Sequence, residues 1–398
     1  MYMGPRIHFY SVSFIILWKT ILIFVLIFLV IKKGKRINNY IKLGYLFSLK
    51  IWLSYGAFMY ISDTLTSFSK FILIPLVAHF TLNYLTNTNF ERFLNFIKII
   101  SIYTIISTIP FLLNLLEPNT EGYDLATYGI AGSFGFGGLY QNEHSASVNM
   151  ALSIIILTYF LLKSKNNYYR LFYFSLIALG LHVEYITYVR TGYLGLLAGA
   201  YFVLYKGRKL KMKLIMIFLA GIISIGLFFL YKNDKVLQMR LEDKTVYREH
   251  TSENDLGSGR LLFAKTNIEN LFESNIAVIF FGLGRSYSQD LMAKKIGGRF
   301  VSHNGFVDAL TDNGIIGLII FLSMLYQTYI IIRKNKKNIL YNLTISVFII
   351  FLTVTLTQSF YFFFLNGILS ILLIMLNQQG VNRNKIYLNN YKQILNEK

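Results

Sequence analysis

The sequence predicts an all-α, polytopic membrane protein with about eleven transmembrane helices and one large extracytoplasmic loop subdomain. Apolar residues gather in blocks of roughly 20, the length a helix needs to cross a bilayer. Short, strongly basic connectors recur between these blocks, the mark of loops held on the cytoplasmic side. The composition fits nothing soluble. Over 398 residues, 55% are hydrophobic and the mean hydropathy is +0.50; a soluble chain of this length would form two or three domains and be far less apolar.

The candidate spans fall at about 11–31, 41–61, 64–85, 93–116, 144–162, 170–189, 191–205, 214–231, 313–332, 339–357 and 359–376, with ends good to a few residues. The first apolar block is longer than the 7–15 residues of a signal-peptide core and ends in Lys32-Lys33-Gly34-Lys35-Arg36, not in a small-residue cleavage site, so it reads as a spanning helix. Lys19, Lys50, Lys70 and Lys98 fall inside spans. Snorkelling, or packing toward the bundle interior, accounts for them more readily than a functional role.

Alternation of the spans puts the basic segments 32–36, 163–170, 206–213 and 333–337 on one side, expected to be the cytoplasm, together with the basic tail 377–398. The other side receives segment 117–143, which carries Glu117, Glu121, Asp124 and Glu143 and no Lys or Arg. This leaves the N-terminus outside, or a first helix missing from the start of the chain. The expected organisation is an N-terminal part of the bundle at 1–231, the large outer loop at 232–312, C-terminal membrane helices at 313–376 and the tail.

Two outer segments are too long to be simple connectors. Segment 117–143 contains the glycine-rich stretch GIAGSFGFGGLYQNEH. Segment 232–302 has a helical apolar pattern at Leu261, Leu262, Ala264, Ile268, Leu271 and Phe272, then a short apolar run from 276 to 281 ending in Gly282-Leu283-Gly284-Arg285. It reads as an ordered subdomain.

Several chemistries can be set aside. The absence of Cys removes disulfides, thiolate metal sites and cysteine nucleophiles. The net charge of +20 sits mainly in the short membrane loops, which argues against nucleic-acid binding. The six His have no metal-ligand spacing. No phosphate-binding loop, zinc-protease motif or nucleophile elbow occurs, and no cofactor is implied.

What remains are cations and one histidine at the outer boundary. Arg190 stands at the junction of two spans, Arg260 follows Gly257-Ser258-Gly259, and Arg285 follows Gly282-Leu283-Gly284. The guanidinium fork donates two parallel hydrogen bonds and stays charged near lipid, which suits phosphate; simple helix anchoring is the plainer reading for Arg190. Arg240 and Arg248, among acidic neighbours, read as solvated surface, and His8 and His250 as incidental. His144 starts a span. His182 and Glu184 lie near the outer end of another and read equally as a functional site or a packing pair. In Ser302-His303-Asn304-Gly305-Phe306-Val307-Asp308-Ala309-Leu310-Thr311-Asp312-Asn313-Gly314, the residues Asn304, Asp308 and Asp312 share one helical stripe. A short amphipathic helix lying at the surface is expected there, broken from the following span at Asn313-Gly314.

In these residues the sequence resembles the O-antigen polymerase and O-antigen ligase superfamily of bacterial inner-membrane glycan enzymes. The likeness rests on His303-Asn304 followed by an acidic residue and by Gly314-Ile315-Ile316-Gly317-Leu318. It is supported by Arg260 after Ser258-Gly259, by Gly282-Leu283-Gly284, by Arg190 and by Gln141-Asn142 at a span start. It covers roughly 130–320; Asp312 stands where Glu is commoner, and Val189 where Ser is usual. The resemblance implies metal-independent glycosyl transfer on the outer face of the cytoplasmic membrane, with undecaprenyl-diphosphate-linked oligosaccharide as substrate. Arg190, Arg260 and Arg285 would bind diphosphate, with Asn304 and Asn142 also on the substrate, and His303 would be the base or orient the acceptor. A flippase and a chain-length regulator would be partners beside the lipid bilayer. Polymerase is the favoured role. The alternatives are a ligase that moves glycan onto an acceptor lipid and a lipid-linked sugar transporter, although the chain lacks the internal repeats usual in transporters.

Overall fold

In the computed structural model, the described residues are 8–9, 12–33, 36–85, 89–116, 135–140, 142–205, 232–234, 238, 260–359 and 362–378. The expected span at 214–231, residues 117–134 of the acidic, glycine-containing segment, Gln141, Arg240, Arg248, His250 and nearly all of the tail lie outside them. Apart from a two-residue hairpin, His8–Phe9 with Val12–Ser13, the regular structure is helical.

The N-terminal helices are α1 (Phe14–Lys33), α2 (Asn39–Lys50), α3 (Ile61–Tyr84), α4 (Phe90–Ile106) and the single turn α5 (Ile109–Leu112). Then come α6 (Glu143–Lys163), α7 (Asn167–Ile186) and α8 (Arg190–Ala200), which runs into a π-helical turn, Tyr201–Tyr205. The segment between α8 and the last membrane helices contributes α9 (Arg260–Phe272), α10 (Ile276–Phe281) and α11 (Arg285–Ile296). The chain returns through α12 (Gly305–Lys334), α13 (Tyr341–Thr357) and α14 (Phe363–Gln378). Asparagine starts many of these: the side chains of Asn38, Asn142, Asn166, Asn275 and Asn304 each accept from a backbone N–H of the first turn, satisfying donors that a helix start leaves unpaired.

Four described helices are long and apolar enough to cross a membrane: Ile61–Tyr84, Phe90–Leu112, Glu143–Lys163 and Gly305–Lys334. Thr20–Lys32, Tyr341–Thr357 and Phe363–Gln378 are shorter apolar helices. The chain is a multi-pass membrane protein, and the figure of about eleven spans remains an expectation from sequence. The segment expected to span at 41–61 is not one continuous helix. Helix α2 stops at Lys50, and 12 residues rise only about 18 Å, short of a bilayer core of about 30 Å.

Helix α6 is the hub, packed by α4, α7, α8 and α13. Helix α8 approaches with a small-residue face: Gly195 and Gly199 lie against Ile350 of α13, and Gly192 lies against Ser147 and Glu184. Close backbone approach replaces the hydrophobic driving force that lipid does not supply. Large apolar side chains such as Phe24, Phe28, Leu197 and Ile319 stay exposed on the bundle surface, as a lipid-facing surface requires. At one end, Arg36 N donates to Asn83, Gln378 donates to Leu82 O, Asn338 donates to Leu376 O, and Tyr159 donates to Ile339 O. Three of the basic segments, 32–36, 163–170 and 333–337, therefore lie at the same end of the bundle.

Helix α12 is broken where the sequence places the break. Gly314 has φ 69° and ψ −176° inside an otherwise continuous helix. The break frees carbonyls at Thr311 and Asp312, and unsatisfied carbonyls are costly at membrane depth. The extended Gly282-Leu283-Gly284 segment takes them up: Leu283 N donates to Thr311 O at 2.9 Å and Gly284 N to Asp312 O at 3.0 Å. On its other side the segment accepts from Tyr55 N (to Gly282 O) and Gly56 N (to Leu283 O). Gly282 (φ 83°) and Gly314 face each other across this junction, each with no space for a Cβ. The junction ties residues 282–284 to α12 and fixes the start of α11, where Arg285 stands.

Candidate functional site

The other end of α6 and α12 carries the candidate residues. His303 sits in the left-handed region, φ 52°, unusual for a non-glycine residue. Strain of this kind persists where surrounding structure over-determines it. Here Ser302 and Asn304 do so. Ser302 Oγ accepts from Asn304 N at 3.1 Å and donates to the Asp308 carboxylate, while Asn304 Oδ1 accepts from Phe306 N and Val307 N to cap α12.

From this turn the imidazole meets Gln358, just beyond the end of α13. His303 Nδ1 lies 3.4 Å from Gln358 Oε1. Gln358 Nε2 reaches His144 Nδ1 at 3.1 Å and Thr191 Oγ1 at 3.4 Å. Thr191 follows Arg190 in the first turn of α8, and His144 is two residues past Asn142, so Arg190 and Asn142 belong to this end as well. Arg260 Nη1 donates to Thr357 O at 2.7 Å, next to Gln358. Phe263, one turn along α9, has its ring centre 6.4 Å from that of His303. Arg260 and Arg285 both act electrostatically on His303. Burial first, then the charge of Arg260, lowers the imidazole pKa below the usual histidine value, with Gln358 opposing and Arg285 adding to the fall. A neutral imidazole near pH 7 follows.

Several sequence readings are refined by these contacts. The Asn304, Asp308, Asp312 stripe does not face water. Asp308 and Asp312 are 4% and 7% exposed, because cations meet them from inside: Arg285 acts on Asp308 and Lys50 on Asp312. The helix expected at the surface is therefore an interior one. Lys50 packs inward, 3% exposed, donating to Phe281 O, and Lys98 lies over the Phe160 ring. His182 and Glu184 are not a pair: two residues apart on α7, one is exposed and the other buried. Glu184 instead accepts from Ser147 Oγ at 2.6 Å, one turn along α6 from His144. Asn142 and Asn304, expected on the substrate, have their side-chain oxygens committed to caps, with Asn142 Oδ1 accepting from Ser145 N.

Arg285 also lines a small polar cleft with Ser54, Asp63, Ser286, Asp312 and Asn313. There Ser286 Oγ donates to Asp63 at 2.7 Å. Sequence reasoning missed Gln358, although a usable signal exists: Thr357-Gln358-Ser359 is a polar break between two apolar runs, and polar groups at such places are functional candidates. It also missed Ser302 and Asp63, whose partners are remote or locally folded back.

Residues 175–322 match the family model described as O-antigen ligase. The matched stretch includes Arg190, Arg260, Arg285, His303 and Asn304, and excludes Asn142, His144 and Gln358. No curated protein matches the sequence. Such a family implies a membrane protein that processes lipid-linked glycan. The match across residues 175–322 is consistent with the O-antigen polymerase and ligase superfamily, which the residues at this end of the bundle resemble.

Proposed function

We propose that the protein polymerises oligosaccharide repeat units carried on undecaprenyl diphosphate, on the outer face of the bacterial cytoplasmic membrane, into O-antigen, capsular or exopolysaccharide. The observation that supports this most is the gathering of Arg260, Arg285 and a backbone-strained His303 at one end of the bundle, with Arg190 one residue from the Gln358 contact. The leaving group is a diphosphate, so the protein needs to hold its charge and position an acceptor hydroxyl. In the reading offered here His303 takes the hydroxyl proton, the acceptor oxygen bonds to the anomeric carbon, and the carbon–oxygen bond to diphosphate breaks. Arginines hold the departing anion. Units must reach the outer face before transfer and the length of the product must be set, so a flippase and a chain-length regulator are the expected partners.

The ligase description of the matched family favours a second reading, transfer of finished glycan to an acceptor lipid. Loss of the gene separates the two. Under the polymerase reading, single lipid-linked units accumulate and long chains vanish. Long chains that persist on the carrier lipid would establish the ligase instead. Unchanged surface glycan would remove both.

A further inference from the structure

We propose that Gln358 is a positioning residue that sets the tautomer of His303, holding its proton on Nδ1 and leaving the lone pair on Nε2. The inference rests on His303 acting in glycosyl transfer as proposed above, and adds the residue that prepares it. A glutamine amide is the one neutral side chain besides asparagine with an obligate acceptor and an obligate donor. With the amide as oriented in the structure, Oε1 can only accept, so its contact with His303 Nδ1 requires a proton there. Nε2 can only donate, so its contact with His144 Nδ1 requires a lone pair there. The bond made by one ring nitrogen dictates the state of the other, which makes Nε2 of His303 the basic atom. Thr191 Oγ1, also within reach of Gln358 Nε2, steadies the amide.

A neutral partner suits this place. Among the described residues, the groups facing His303 are Arg260 from α9, Arg285 from α11 and, through Gln358, His144 from α6. The nearby carboxylate of Asp308 is engaged by Ser302. A carboxylate at 358 would stabilise the imidazolium and raise its pKa, whereas an amide orients the ring and leaves it neutral.

The test uses the full chain, labelled with nitrogen-15 histidine, in lipid nanodiscs. The His303 signals are those lost in His303→Gln. The expected result is a protonated Nδ1 and a bare Nε2 in the unaltered chain. In Gln358→Met, of similar length and without either function, the proton should move to Nε2. Polymer made by cells carrying that variant should fall on the order of 10²-fold at an unchanged amount of chain in the membrane. In Gln358→Glu the Nδ1 proton should stay while the His303 titration midpoint rises. An Nε2-protonated His303 in the unaltered chain, or the same tautomer in Gln358→Met, overturns the assignment. A switched tautomer with normal polymer overturns its link to the reaction. Normal polymer in His303→Gln would instead fell the base reading itself, while the tautomer result still decides what Gln358 does.

Discussion

Replacing Gly282 by Ala probes the junction that ties the Gly282-Leu283-Gly284 segment to the break in α12. Its φ of 83° costs an L side chain about 1–2 kcal/mol. A Cβ would also stand 2.5 Å from both Asp312 O and Gly314 N. These are backbone atoms of a helix break, and no flexible side chain can yield. The extended segment must retreat and loosen the bonds from Leu283 N to Thr311 O and from Gly284 N to Asp312 O, about 1 kcal/mol each. Together the loss is about 3–4 kcal/mol. Two other glycines provide the scale. Gly297 has φ 77° with nothing within 4 Å, so Ala there should cost only the conformational part, about 1–2 kcal/mol. Gly367, inside α14 with nothing within 4 Å, should gain about 0.5–1 kcal/mol from Ala. Thermal unfolding midpoints of the three variants in one detergent should fall in the order Gly367→Ala, Gly297→Ala, Gly282→Ala from highest to lowest. Equal midpoints for the Gly282 and Gly297 variants would refute the backbone-contact argument.

Lys50→Met should destabilise by about 3–5 kcal/mol, because it leaves the Asp312 carboxylate buried without its cation; Lys50→Met with Asp312→Asn should recover most of the loss in the same unfolding assay. Because burial and Arg260 lower the His303 pKa, the base form persists as pH falls past the ordinary value of about 6.5. Transfer rate should therefore drop on the acid side with a midpoint below that value, and Arg260→Gln should move the midpoint upward. Arg260→Ala and Arg285→Ala should accumulate single lipid-linked units, with Lys rescuing only partly since a point charge lacks the guanidinium fork. On whole cells, a lone Cys at Asn254 should react with an impermeant maleimide and one at Lys165 should react only after lysis; the reverse pattern would invert the assumed orientation.

Much of this architecture was readable from local signals. The helix at Arg260–Phe272, the bounds of the apolar run 276–281 and the break at Asn313-Gly314 follow from apolar spacing and glycine position, which act within a few residues. Contacts that depend on distant partners were not readable. Periodicity placed Asp308 and Asp312 on one stripe but could not say that Arg285 and Lys50 would cover it. Lys50 likewise ends a helix that a hydropathy window extends to 61, because the window registers apolar content and not the turn that follows. Gln358 escaped notice for the same reason: its meaning comes from His303, 55 positions away, and His144, 214 positions away.

Glycan transfer from a lipid diphosphate is proposed for the His303 and arginine end of the bundle. The direct measurement incubates the purified full chain in vesicles with polyprenyl-diphosphate-linked oligosaccharide and follows lipid-extracted products by mass spectrometry. The account predicts carrier lipids bearing two or more units and one free polyprenyl diphosphate for each unit added, with both absent in His303→Gln and in Arg260→Ala. An unchanged substrate, or the same products from the two variants, would contradict it.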